Sequence, residues 1–255
     1  MKRQNSVVTH FIATAIFIVA GLACNSSSET KPPAPTNTGN GGSTSTTNSA
    51  VTAPAPAKDI AGNYEVSGTN INGQGGYKGG LTITKRGEVY QFSWNTGDAK
   101  YDGVGVQTEN SVAVSYAAGT DGKGCGVALY KINSDGSLDG KSGYWGNDKS
   151  ESEKAIRTAG TDLAGDYDVT GKNPDDKEYK AKLNILPSGP GFIFKWTGDN
   201  SFDGIGVRQG NFVTAGFGGK QCSFVAYEIK SDGSLDGKWG GLGTVTFGSE
   251  KAIKK

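Results

Sequence analysis

Eight consecutive residues of this chain occur twice. Ser134-Asp-Gly-Ser-Leu-Asp-Gly-Lys141 returns unchanged, 97 positions later, as Ser231-Asp-Gly-Ser-Leu-Asp-Gly-Lys238. Around this anchor the two halves align along their length. Asp59-Ile-Ala-Gly-Asn-Tyr64 answers Asp162-Leu-Ala-Gly-Asp-Tyr167, and Phe92-Ser-Trp94 answers Phe194-Lys-Trp196. Asp102-Gly-Val-Gly-Val106 answers Asp203-Gly-Ile-Gly-Val207, Cys125 answers Cys222, and Glu153-Lys-Ala-Ile156 answers Glu250-Lys-Ala-Ile253. The offset drifts from 103 to 97 between the blocks, as loops of different length require. Matches along the whole of a unit this size mark a tandem duplication.

Within each copy the apolar residues alternate with period two. Tyr179, Ala181, Leu183 and Ile185 alternate with Lys180, Lys182 and Asn184, while Tyr90, Phe92 and Trp94 share one face against Gln91, Ser93 and Asn95. That is the pattern of strands with one face in a core and the other mostly in water. With 41 glycines and no stretch of helical periodicity, the composition also reads as short strands and many turns. The turn signals of the second copy place eight strands starting near Gly165, Glu178, Gly191, Ser201, Asn211, Cys222, Ser234 and Thr244. The fold expected is all-β: two tandem antiparallel up-and-down β-barrels of about eight strands, closed because closure removes exposed edges. A β-sandwich of the same strands is the alternative. The expected barrels span residues 58–158 and 159–255.

Residues 1–23 read as a signal peptide: Lys2 and Arg3, the apolar run Phe11 to Ala20, and small residues before Cys24. The setting of Cys24 resembles the lipobox of bacterial lipoproteins, which implies lipidation of this cysteine and a membrane partner through the lipid. Gly21 stands where that box usually has leucine, which leaves ordinary cleavage before a free Cys24 thiol as the alternative. Residues 24–57, rich in Ser, Thr, Asn, Pro and Gly, hold almost nothing apolar to bury. They read as a disordered tether with a reach of about 30 Å. Export to the cell envelope follows, and Asn25 after the cysteine points to the outer membrane or cell surface.

The string G-x-Y-x-V-x-G-x-N, then F-x-W, G-(V/I)-G-V and D-G-S-L-D-G, resembles small bacterial secreted domains of the calycin type, similar to avidin-like and lipocalin-like barrels. Some bacterial sequences of this appearance carry the name fibronectin-binding protein. The resemblance implies a fold first and an extracellular-matrix or envelope macromolecule as partner second.

The only histidine, His10, lies in the removable segment, so a Ser-His-Asp triad, a Cys-His dyad and histidine metal ligation are excluded from the mature chain. Without Lys2 and Arg3 the 26 basic residues become 24 against 25 acidic ones, and nothing suggests nucleic acid. The Asp135 loop lacks a full calcium-ligand set, with Lys131 and Ser142 at the outer positions, and reads as a hairpin tip. No cofactor or metal is expected, and no enzymatic activity. Cys125 and Cys222 read as two buried thiols; a disulfide requires the repeats to meet about a local two-fold axis. Tyr64, Trp94, Tyr167 and Trp196 are the best candidates for a ligand site, although their spacing is that of core positions in a barrel filled by its own side chains. Trp239 faces Ser142 in the alignment, so the two copies need not bind the same thing. The function expected is a lipid-anchored, non-enzymatic binding module for a macromolecule, with a small-molecule carrier or a mainly structural envelope protein as the alternatives.

Overall fold

The computed structural model describes residues 58–255 apart from Asp98, Lys123 and Lys220. The signal segment, Cys24 and the tether lie outside these residues. The first copy contributes β1 (Gly62–Thr69), β2 (Gly76–Arg86), β3 (Val89–Thr96), β4 (Ala99–Thr108), β5 (Ser111–Ala118), β6 (Cys125–Ile132), β7 (Leu138–Tyr144) and β8 (Glu151–Thr161). The second contributes β9 (Ala164–Lys172), β10 (Glu178–Ser188), β11 (Gly191–Thr197), β12 (Phe202–Gln209), β13 (Phe212–Gly218), β14 (Ser223–Ile229), β15 (Leu235–Gly240) and β16 (Gly248–Lys254). Seven of the eight expected starts in the second copy fall within one residue of the observed strand. The exception is the last. Gly241 to Phe247 is held as a loop by Thr244 Oγ1, which accepts from the Gly241 amide at 2.9 Å, so the strand begins at Gly248 rather than Thr244.

The strands close into two antiparallel eight-stranded barrels, but neither barrel is one repeat. One runs β1-β16-β15-β14-β5-β4-β3-β2, and the other β10-β11-β12-β13-β6-β7-β8-β9. The expected boundaries, 58–158 and 159–255, therefore separate repeats and not barrels. Strands β6 to β13 are consecutive and form an inserted barrel over residues 125–218, while β1–β5 and β14–β16 form a split barrel around it. The cause is a choice of partner. In an isolated copy β5 would pair with β6; here it pairs with β14, the equivalent strand of the other copy, with Val114 opposite Val225. Reciprocally β13 pairs with β6, with Ala215 opposite Ala128.

This exchange changes which faces meet water. Strands β5, β6, β13 and β14 are buried on both sides, as their nearly unbroken apolar runs (SVAVSYAA, CGVALYKI) require. Their outward residues, with those of β4 and β12, make the contact between the barrels: Val104, Val106 and Ala113 of the split barrel pack on Val127 and Leu129 of the inserted one. Phe224 and Ala226 pack on Val207. The expectation that one face lies mostly in water holds for the outer strands and fails for these.

Cys125 opens β6 and Cys222 follows β13, so they stand at the two places where the chain passes between barrels. They are joined as a disulfide, with Cα atoms 5.7 Å apart. The expected pair of separate thiols is corrected: exchange about a local two-fold brings equivalent residues together. The repeated octapeptide forms hairpin tips. Asp135 Oδ1 accepts from the Ser137 amide at 2.9 Å, Asp232 does the same for Ser234, and Gly136 takes a φ of +80° that favours glycine.

Candidate functional site

Each barrel is plugged at one end by a buried apolar residue. The plugs are Ile60 and Leu163, which precede the first strands of the two copies and are buried. Tyr64 Oη donates to the Ile60 carbonyl at 2.7 Å, and Tyr167 Oη to the Leu163 carbonyl at 2.9 Å. Two of the four candidate ligand residues, Tyr64 and Tyr167, thus fasten the plugs and do not line a lumen. Trp94 and Trp196 do.

Inside each barrel one glutamate gathers ring donors around its carboxylate, Glu250 buried and Glu153 partly buried. In the split barrel Glu250 accepts from Tyr77 Oη at 2.7 Å, from Trp94 Nε1 at 3.0 Å and from Tyr227 Oη. In the inserted barrel Glu153 accepts from Tyr179 Oη at 2.8 Å and from Tyr130 Oη, which itself accepts from Trp196 Nε1 at 3.1 Å. Burial raises the pKa of both carboxyls, and the donated hydrogen bonds offset part of that rise. The tyrosines are pushed up as well, Tyr130 and Tyr227 well above the usual phenol range, chiefly by burial and then by the adjacent carboxylate. Glycines make room for these networks: a β-carbon on Gly140 would stand 2.7 Å from the Tyr130 ring, and one on Gly237 2.5 Å from the Tyr227 ring. Parity on β8 turns Glu153 inward with the buried Ala155 and leaves Ile156 exposed, the reverse of what the apolar isoleucine alone suggests in the sequence.

Above this floor the barrels diverge. Two cross-strand pairs set the difference. In the split barrel Trp239 of β15 lies opposite Gly248 of β16. In the inserted barrel the equivalent residues are Ser142 of β7 and Glu151 of β8. The Trp239 indole fills the mouth of its barrel, donating to the Thr69 carbonyl at 3.1 Å and standing edge-on to Tyr77 at 6.2 Å. The cavity left there is about 110 Å³. The inserted barrel keeps a cavity of about 440 Å³, lined by both Glu151 and Glu153. Its aromatic wall is continuous: Trp196, Phe202 and Phe217 stand within 5.0–5.4 Å of one another, and Tyr144 meets Phe217 at 5.2 Å. The larger value lies inside the range of small-molecule sites and the smaller below it. The expectation of lumens filled by their own side chains thus describes the split barrel and not the inserted one.

The aspartates of the repeated motifs lie elsewhere. Asp203 and Asp139 make exposed ion pairs with Lys195 and Lys154, Asp236 lies 3.7 Å from Lys230, and Asp102 is buried on β4. No known family's model matches the chain, and no curated protein or solved structure matches it.

Proposed function

We propose that this chain is a non-enzymatic, lipid-anchored envelope protein that binds one small molecule in the lumen of its inserted barrel. The observation that carries the reading is the contrast between a cavity of about 440 Å³ in that barrel and one of about 110 Å³ at the equivalent place in the other. An eight-stranded barrel has room for one small ligand when its side chains leave the mouth open. The macromolecular partner drawn from the resemblance has less support. A duplicated chain gains avidity for a repetitive partner when both copies present the same site. The two lumens differ in volume and lining, so the repeats do not offer the same interior twice. Lipidation at Cys24 and a place in the outer membrane or at the cell surface complete the proposal, supported by the leader and tether sequences.

Native mass spectrometry of protein purified from its own host tests the reading. A bound mass is expected that disappears when Ser142→Trp and Glu151→Gly give the inserted barrel the other barrel's mouth. A bound mass that survives both substitutions, or none in either protein, overturns it.

A further inference from the structure

The inserted lumen carries acidic charge that the fold does not require. Glu153 is committed to Tyr130 and Tyr179, and its counterpart Glu250 has the same role in the filled barrel. Glu151 has no such counterpart, since Gly248 stands at its place. It lies on the same face of β8, one pleat repeat closer to the mouth, roughly 6.6 Å along the strand. Its one hydrogen bond among the described residues is from Ser142 Oγ, at 3.3 Å. A half-buried carboxylate with so weak a partner costs free energy unless a cation or a stronger donor reaches it.

Among the described residues no cationic side chain reaches Glu151 inside the lumen. The lysines that border the cavity, Lys177 and Lys180, are exposed at its rim, where Glu178 and Asp199 match them in charge. The cavity that Glu151 lines is also walled by Tyr144, Trp196, Phe202 and Phe217, aromatic rings that bury apolar area and whose faces attract positive charge. An anion would meet two carboxylates and aromatic quadrupoles of the wrong sign. A neutral ligand would leave Glu151 uncompensated.

We infer that the ligand is an organic cation, an amine with a flat or apolar body, whose ammonium group donates to Glu151 while its body packs on the aromatic wall. The inference rests on the lumen reading above and narrows it to one charge class. Burial also raises the Glu151 pKa, with Glu153 adding to the rise, and a cationic ligand would draw it back down.

Three probes of one shape and different charge test it on the intact chain: benzylammonium, benzyl alcohol and benzoate, titrated while the Trp196 indole resonance is followed. Benzylammonium is expected to bind tightest, with benzoate weakest. Glu151→Gln should cost the ammonium about tenfold in affinity, the worth of one charge-assisted hydrogen bond, and leave the alcohol unchanged. Retention of the Trp196 shift in the free variant shows that its lumen is intact, and Ser142→Trp should abolish binding of all three. If alcohol or benzoate binds as well as the ammonium, or Glu151→Gln changes nothing, the charge selection is overturned while the lumen reading stands. If none of the probes moves Trp196, both fall.

Discussion

A β-carbon on Gly248 would stand 2.3 Å from Nε1 of Trp239. The indole can cross the mouth of the split barrel only because its cross-strand neighbour has no side chain. Size at one position of this pair is traded for space at the other, as close packing demands. Ser142 with Glu151 is the opposite solution at the same place in the other barrel.

Gly248→Ala should therefore be costly although the position is a strand. The new methyl meets the indole and, at 2.6 Å, the carbonyl of Thr69, a backbone atom held in the β1–β16 ladder. A loss of about 1–3 kcal/mol is expected in denaturant unfolding, as for other overpacked sites. Combining it with Trp239→Ser should restore most of that loss, because the two changes share one volume.

The buried carboxylates set a slope of stability against pH. Glu250 has a folded pKa raised by burial above the unfolded value of about 4.3. The folded state then holds a proton that the unfolded state has released, so stability falls as pH rises from about 4.3 through the raised value. Below that window the contribution is fully present. Glu250→Gln removes the titration, and the difference between variant and parent should grow over this window in favour of the variant. Unfolding midpoints from pH 4 to 8 measure it; a difference that is constant with pH would contradict the assignment. Glu250→Leu should instead destabilise at every pH, by about 1–3 kcal/mol for each of the Tyr77, Trp94 and Tyr227 donors left without an acceptor.

The disulfide joins residues 97 apart in sequence. Loop-closure entropy for a ring of that size corresponds to about 4–5 kcal/mol, and measured losses on removing native bridges run at about 2–5 kcal/mol. Replacing Cys125 and Cys222 by serine should destabilise the protein by an amount in that range. In the unreduced parent, alkylation followed by mass spectrometry should find both cysteines unmodified.

Fragments report the exchange directly. Residues 124–222 contain all eight strands of the inserted barrel and both cysteines, and are expected to fold with the Trp196 indole in its native setting. Residues 58–158 contain five strands of one barrel and, of the other, β6, β7 and all but the last three residues of β8. This piece can close only by pairing β5 with β6, a contact absent from the intact chain, or by exchanging strands with a second copy. Backbone contacts between Val114 and its neighbour across the sheet, by isotope-edited NMR, distinguish these states: the intact chain should show Val225 there.

The strands were legible because alternation and turn chemistry act locally. Asp135 and Ser137 fix a hairpin tip whatever lies beyond it. Partner choice was not legible, and the duplication itself is the reason. β6 and β14 present equivalent residues to β5, so side-chain pattern cannot tell them apart. What could have been weighed is the lack of polar alternation in Val112-Ala-Val114 and Val127-Ala-Leu129, which marks strands buried on both faces. In the site, the Trp239 and Ser142 contrast was visible in the alignment. Its meaning depended on Gly248 and Glu151, each nine residues further on, which become the cross-strand neighbours of Trp239 and Ser142 only through the β15–β16 and β7–β8 pairings.

The insertion also sets a timetable for synthesis. The inserted barrel is complete once Gly218 has left the ribosome, and every one of its strand pairs except β13 with β6 joins neighbours in sequence. The split barrel must wait for β16, which ends at Lys254 and pairs with β1 at the far end of the chain. Its first five strands are made early and stay open, with β5 as an unpaired apolar edge, until the last three arrive. A finished inserted barrel holds β5 and β14 at its two neighbouring chain ends and shortens that search. The barrel that holds the open cavity is thus also the one whose early closure lets the rest of the molecule find its shape.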